Sequence, residues 1–92
     1  MDLITRHARA RMQQRGIRFE ELEALLAFGR EIRAGRGRDL VFFDKRSRAH
    51  LARSNAVPPA EVDRLVRSYA IVGADGTVVT VGHRYRRVPR DR

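Results

Sequence analysis

The sequence predicts an α+β domain, in which two N-terminal helices pack on a mainly antiparallel sheet of about four strands. Three patterns lead to this prediction. Two successive runs carry apolar residues at helical spacing, and a glycine follows each run. An Asp-Gly pair separates two β-rich runs near the C-terminus, which is typical of a hairpin. A Pro-Pro pair before that hairpin indicates one further short helix.

The first predicted helix runs from about Arg6 to Gln14. Thr5 precedes it and can cap its free N–H groups through the hydroxyl, and Gly16 follows it as a left-handed stop. At about 100° per residue, Ala8 and Met12 fall on one narrow stripe, which we expect to be buried.

The second predicted helix runs from Arg18 to Phe28 and has a leucine-rich face. Glutamates occupy its first half, where the helix dipole favours acidic side chains. Its apolar residues are Leu22, Leu25 and Leu26, with Phe28 near the end. A helix pair this short cannot bury its apolar faces alone, so it requires a sheet.

The rest of the chain supplies that sheet. A short strand is predicted from Arg30 to Ala34, and a stronger one from Asp39 to Asp44, with a glycine-rich turn between them. The next segment, from Arg46 to Asn55, fits either a helical turn or an irregular excursion. A short helix then begins at the prolines and reaches about Val66. The strand pairing of segment 46–64 is left open.

Asp75 and Gly76 predict the register of the C-terminal hairpin. As the two loop residues of a type I′ turn, they pair Val72 with Val79.

The same register pairs Ser68 with His83 and Tyr69 with Gly82. Side chains alternate along a strand, so His83 turns toward the helices and Arg84 turns away.

Length and composition limit the class of protein. Ninety-two residues make one domain, with a tail at 88–92 that is expected to fray. There is no cysteine, and the three histidines lack metal-ligand spacing, so no metal and no cofactor are expected. No run is apolar enough for a membrane span or a signal peptide, which predicts a cytoplasmic protein without a membrane partner.

The formal net charge of +9 is the strongest compositional feature. At this size it favours a polyanionic partner, and we expect RNA or the ribosome. An acidic protein, such as an antitoxin-like partner, is the alternative. Nineteen of the twenty basic residues are arginine, whose planar fork binds phosphate oxygens in pairs. The oligomeric state is left open.

Candidate site residues lie at both ends of the chain. Cleavage of RNA without a metal needs a base, an acid, and cations that stabilise the charge developing on the phosphate. The first helix carries one row of suitable residues: His7, Arg11 and Arg15. The closing segment VTVGHRYRR carries a second group: His83, Arg84, Tyr85 and Arg86. If the two ends meet in the fold, they form one composite phosphate site.

Each of these residue types has an expected role. His7 and His83 are the candidate base and acid because the pKa of histidine lies near neutrality. Tyr85 is a third candidate catalytic residue, as an acid or as a group that stacks on a base. The predicted phosphate-binding residues are Arg11, Arg15, Arg84 and Arg86.

The same residues also have structural interpretations. His7 can bridge the first helix to the sheet, and His83 can be a satisfied structural histidine. The arginine row of the first helix can be a solvated face that pairs with glutamates of the second helix. Tyr69 can simply cover the bare Gly82 opposite it.

The opening run TRHARARMQQRGI, followed by EELEALLAFG, resembles the small bacterial proteins grouped as domain of unknown function 4258. That family opens with a helix carrying a histidine and R-M-x-x-R-G-I, continues with an acidic-apolar helix, and then forms a sheet. VTVGHRYRR loosely matches the basic or aromatic end of its last strand. The family's opening positions fall on His7, Arg11 and Arg15, and its closing positions fall on His83 and Arg84.

Some members of that family are similar to toxin domains with the architecture of RelE-type and barnase-type ribonucleases. The resemblance therefore implies a helix pair on a mainly antiparallel sheet, and RNA cleavage. The resulting hypothesis is a small basic RNA-interacting protein that acts as a metal-independent, toxin-like ribonuclease. A non-catalytic nucleic-acid-binding module and a protein-interaction domain for an acidic partner are the alternatives, because fold analogy does not establish chemistry.

Overall fold

The computed structural model describes residues 3–84 and has the predicted α+β architecture. Two helices come first, a four-stranded antiparallel sheet follows, and two more helices lie between its second and third strands. The elements are α1 (Arg6–Arg15), α2 (Phe19–Phe28), β1 (Arg30–Gly35), β2 (Arg38–Phe42), α3 (Lys45–Ser54), α4 (Pro59–Leu65), β3 (Ser68–Gly73) and β4 (Val78–His83).

The sheet is an antiparallel meander with the strand order β1-β2-β3-β4. The N-terminal segment covers part of the outer edge of β4. There the Val78 N–H donates to the Leu3 carbonyl at 2.7 Å, and the Thr5 N–H donates to the Val78 carbonyl at 3.0 Å. These bonds satisfy backbone groups that an edge strand otherwise leaves free.

The caps of α1 confirm the sequence prediction. The hydroxyl of Thr5 accepts the N–H of Ala8 at 3.0 Å and donates to the Val79 carbonyl at 3.1 Å. Gly16 closes the helix in the left-handed conformation, with a φ of 65°. Thr5 therefore joins the start of α1 to β4, and α1 packs along that strand.

The ambiguous segment forms a regular helix, α3. A carboxylate oxygen of Asp44 accepts the Ser47 N–H at 2.8 Å, and the Ser47 hydroxyl accepts the Asp44 N–H at 2.9 Å. Only Ser47 and Leu51 are buried on α3, so its apolar pattern is too sparse to predict a helix. The predicted short helix is α4, which Pro59 begins. Segment 46–64 therefore contributes two helices and no strand.

The helices cover one face of the sheet and form the core with it. Ala8 and Met12 of α1 are buried, as predicted, and so are Leu22 and Leu25 of α2. Leu26, predicted to join them, is 40% exposed. The buried stripe of α2 takes in an acidic residue instead, and this displaces Leu26 to its flank.

The loop of the C-terminal hairpin differs from the predicted type I′ turn. That turn needs a positive φ at both central residues, but of the two only Gly76 has one, at 86°. The Gly73 N–H donates to the Thr77 carbonyl at 2.8 Å, which closes a longer loop. The Asp75 carboxylate accepts the Thr77 N–H at 3.0 Å and stabilises this loop from within.

A β-bulge next to the loop restores the predicted register farther along the hairpin. Val72 pairs with Val78 and not with Val79, so the prediction is wrong at that position. Ser68 still pairs with His83, as predicted. The faces predicted for the far end of β4 are therefore the observed ones.

Candidate functional site

His83 ends β4 on the face of the sheet that the helices cover. Its partner Ser68 is buried, and His83 itself is half-buried. Four charged side chains lie near enough to influence its ionisation. Together with His83 they form the β4-end cluster: Arg15, Glu21, Arg64 and Arg67.

Glu21 is the buried carboxylate of this cluster, with 2% of its surface exposed. One of its oxygens accepts the backbone N–H of Arg18 at 2.8 Å, and the other lies 3.5 Å from a guanidinium nitrogen of Arg64. Arg64 also donates to the Gly16 carbonyl, and Arg18 forms an ion pair with Glu61. These contacts join the end of α1, the start of α2 and α4 around one carboxylate.

Burial lowers the pKa of His83 below its ordinary value of 6.5, and the positive charge of Arg64 lowers it further. The Glu21 carboxylate acts in the opposite direction because it favours the imidazolium. Arg67 and Arg15 each add a smaller lowering effect on this pKa. His83 is therefore mainly neutral at pH 7, and its ring can accept a proton.

His7 bridges α1 to β4, as its structural interpretation predicts. Its Nε2 lies 3.3 Å from the hydroxyl oxygen of Thr80. Thr80 precedes His83 by three residues, which is about 10 Å along a strand, and the two side chains point to opposite faces. The structure thus brings Arg15 near His83, and His7 against Thr80. A phosphate site shared by the two histidines stays a prediction.

Arg11 and Arg15, which share the α1 row with His7, remain at least partly exposed. Arg11 is half-buried and Arg15 is exposed. Within residues 3–84 neither forms an ion pair with a glutamate of α2, so their guanidinium groups are not neutralised there. Their role as phosphate-binding residues stays a prediction.

Arg84 lies on the opposite face of the sheet from His83, as the alternation of side chains predicts. Its guanidinium carbon lies 5.3 Å from the centre of the Phe42 ring, and the group donates to the Phe43 carbonyl. Its Nε is buried and has no hydrogen-bond partner in the described part of the chain. Burial lowers the pKa of Arg84, and the nearby charge of Arg48 lowers it further.

Tyr69 covers Gly82, which confirms its structural interpretation. A Cβ atom at Gly82 would lie 3.0 Å from a ring carbon of Tyr69 and 3.1 Å from its hydroxyl oxygen. The ring therefore occupies the space that a side chain at Gly82 would need. Two further candidates, Tyr85 and Arg86, lie outside the described residues.

Sequence reasoning missed Glu21 and Arg64 as members of a site. Glu21 was accounted for by the helix dipole, although its position four residues before the buried Leu25 was a signal that it faces the core. Arg64 lies in the short helix α4, whose sequence contains no recognisable catalytic motif. Only packing brings these two side chains together.

Sequence reasoning also missed the basic surface of α3. Four basic residues and no acidic residue occur in this helix, and that bias was the available signal. An open groove of about 510 Å³ lies where α3 begins, lined by Phe28, Arg30, Asp44, Arg46, Ser47 and His50. The rings of Phe28 and His50 meet there edge to face, with their centres 5.3 Å apart.

The described residues contain neither a metal-binding group nor a membrane-spanning helix. Within residues 3–84, no group of three or more histidines and carboxylates could hold a metal ion. No helix in that range has the length and apolar character needed to cross a membrane.

Comparison with known protein families identifies the family of this chain. Residues 4–83 match the family model described as Domain of unknown function (DUF4258). No curated protein and no solved structure matches the chain. The matched segment extends from the residue before the α1 cap to His83 and contains the whole β4-end cluster. Because the match covers most of the sequence, the protein belongs to the DUF4258 family.

Proposed function

We propose that this protein binds RNA and cleaves it without a metal ion, as a toxin-like ribonuclease, at the β4-end cluster. One observation carries the proposal: a half-buried histidine with a lowered pKa is under the electrostatic influence of a buried carboxylate and three arginines. The similarity of some members of the family to RelE-type and barnase-type ribonucleases favours the same chemistry by analogy.

In the proposed reaction, neutral His83 accepts the proton of a ribose 2′-OH. The 2′ oxygen bonds to the adjacent phosphorus, and the bond from phosphorus to the 5′ oxygen breaks. The leaving oxygen takes a proton from an acid, for which Tyr85 is the candidate. The products are a 2′,3′-cyclic phosphate and a free 5′-OH.

The rest of the cluster stabilises the charges that form in this reaction. Arg15, Arg64 and Arg67 face the phosphate with positive charge, which stabilises the extra negative charge on its oxygens. Glu21 stabilises the imidazolium that forms on His83. It also positions Arg64 through their ion pair.

The test is cleavage of a single-stranded RNA by the purified protein in excess chelator. We expect His83→Asn to lower the cleavage rate by about 100- to 10,000-fold, the usual contribution of a general base. His50→Asn is the matched control because His50 lies on α3, outside the cluster. The enzymatic proposal fails if the wild type and a His7→Ala/His83→Ala double variant give the same residual cleavage.

Non-catalytic binding of nucleic acid is the second candidate function, and the charge of two helices favours it. α1 and α3 each contain four basic residues and no acidic residue. Such surfaces bind phosphates without regard to sequence. This candidate predicts an affinity that falls steeply with salt concentration, with no strand scission under any of the conditions above.

A further inference from the structure

The face of the sheet that the helices leave uncovered is built from cross-strand rows, and we call it the open face. The cross-strand register sets the members of each row. The first row contains Arg30, Phe42, Tyr69 and Gly82. The second row contains Ile32, Leu40, Ile71 and Thr80. The third pairs Arg38 with Gly73.

The apolar side chains of the open face take no part in the core. Phe42 is 7% exposed, yet it does not belong to the core cluster. The three aliphatic residues of the second row are also outside the cluster, and each of them is half-buried. Within residues 3–84, the helices form the core on the other face, and on the open face His7 of α1 contacts Thr80 at the β4 edge. The open face is therefore an apolar surface outside the core, on which Phe42 is buried and the aliphatic residues of the second row are only half-buried.

Tyr69 is held in place in the first row of this face. Its ring lies against the bare backbone of Gly82, at distances that leave no room for a Cβ atom. Phe42 flanks it on the neighbouring strand. Tyr69 nevertheless remains half-buried and not fully covered. An aromatic ring that is fixed and partly accessible is suited to stacking, because little conformational freedom is lost on binding.

Arg84 supplies a cation over Phe42, the residue paired with Tyr69, and no carboxylate neutralises it in the described part of the chain. Its guanidinium lies over Phe42, and its buried Nε has no partner. Arg48 of α3 is close enough for the two positive charges to repel each other. Two like charges held together with an unsatisfied donor favour an anion between them.

The positive charge of the open face favours a polyanion as its ligand. The three rows contain no acidic residue, and within residues 3–84 Arg30 is their one arginine in an ion pair, with Asp44 at 3.3 Å. A second copy of this chain carries the same net charge of +9, so it would place arginine against arginine. A nucleic acid offers both groups that the open face can bind: flat bases for the ring and phosphates for the cations.

We propose that the open face binds single-stranded RNA, with an unpaired base stacked on Tyr69 and the adjoining phosphate held by Arg84 and Arg48. A duplex cannot bind in this way because its bases are already stacked on each other. This base platform rests on the proposed function for the choice of RNA as the polymer. It requires no cleavage, and it lies on the face opposite to His83.

The first experiment compares two oligonucleotides that differ only in their bases. A 2′-O-methyl oligonucleotide has no free 2′-OH and cannot be cleaved by the proposed reaction, and its abasic counterpart has the same phosphates. We expect the abasic strand to bind about 5- to 150-fold more weakly, the usual effect of losing one stacked base. The sequence has two tyrosines and no tryptophan, so Tyr85→Phe leaves Tyr69 as the only tyrosine to report stacking through fluorescence quenching. Equal affinity for both strands, without quenching, overturns the base platform.

The second experiment uses matched variants. Tyr69→Leu keeps an apolar cover over Gly82 but removes the aromatic ring, and Phe19→Leu is its control because Phe19 is 55% exposed on α2. Arg84→Gln is compared with Arg33→Gln, since Arg33 belongs to the covered face of β1. We expect weaker binding only for the changes at Tyr69 and Arg84. Urea unfolding establishes that each variant is folded.

The outcomes separate the base platform from the proposed function. RNA cleavage with unchanged binding by Tyr69→Leu overturns the platform and leaves the ribonuclease standing. Binding that depends on Tyr69, without cleavage, supports the platform and overturns the ribonuclease. No binding to any RNA overturns both. A dimer in light scattering that Tyr69→Leu dissociates assigns the open face to a second copy and overturns the platform.

Discussion

The two faces of the sheet differ in how far they are buried, although the same four strands form both. The covered face packs against the helices through fully buried residues such as Val41, Ala70 and Val81. The open face carries half-buried aliphatic residues, Tyr69 and three arginines, of which Arg30 pairs with Asp44.

This difference in burial separates the residues that stabilise the fold from those that we propose to bind a ligand. Burial of the covered face supplies the hydrophobic free energy of folding, so its residues are chosen for packing. The open face contributes less burial, and we propose that its aromatic and cationic residues contact a ligand. His83 and Arg84 are adjacent in the chain, but one ends the covered face and the other belongs to the open side.

The largest expected effect compares two neighbouring phenylalanines. Phe43 is fully buried in the core, so Phe43→Ala should lower the free energy of unfolding by about 3–5 kcal/mol. Phe42 packs outside the core, and Phe42→Ala should cost about 2 kcal/mol. Urea unfolding measures both. Equal losses would show that the open face is as well packed as the covered one and would break the comparison.

The contact between Tyr69 and Gly82 predicts the next effect. A Cβ at position 82 would lie 3.0 Å from the Tyr69 ring, so Gly82→Ala should displace the ring and cost about 1–3 kcal/mol. In a Tyr69→Ala background the same change should cost much less, because the clash is gone. A double-mutant cycle measures this coupling. Strictly additive effects would contradict the contact.

Asp44 caps α3 and also forms an ion pair with Arg30, and two substitutions separate these roles. Asp44→Ala removes the cap of α3 and should cost about 1 kcal/mol in the free energy of unfolding. Asp44→Asn keeps an effective cap, and it also releases Arg30 on the open face from its ion pair. We therefore expect Asp44→Asn to keep the stability and to strengthen RNA binding at low salt. Weaker binding by this variant would argue against a phosphate contact at Arg30.

The smallest expected effect is the pH dependence of the covered side. The pKa of His83 is lower in the folded protein than its ordinary value of 6.5, chiefly because of burial. The folded state therefore binds this proton less readily than the unfolded state, and stability should fall as the pH drops below 6.5 and through the lowered pKa. Titration of the His83 ring by NMR measures the shift. His83→Asn should remove this part of the pH dependence, and an unshifted His83 pKa would contradict the burial argument.

Local features of the fold were predictable because their causes are local. The Thr5 cap, the Gly16 stop and the buried Ala8 and Met12 follow from residues within one helix. The conformation of the hairpin loop was not predictable in this way. The Asp75 carboxylate and a bulge favour a longer loop over the type I′ turn that Asp-Gly usually forms. α3 was also missed, since its cap depends on one Asp–Ser pair and its face on few buried residues.

The candidate site divides in the same way. The sequence by itself determined the basic character of both ends and the opposite directions of His83 and Arg84, because β alternation depends only on parity along a strand. The pairing of Tyr69 with Gly82 followed from the predicted register of the hairpin. Only the tertiary structure decided that Glu21 and Arg64 join His83, that His7 meets Thr80, and that one face of the sheet stays open. The physical reason is that these contacts link elements far apart in the chain. Their distances depend on how the helices pack, which no local pattern specifies.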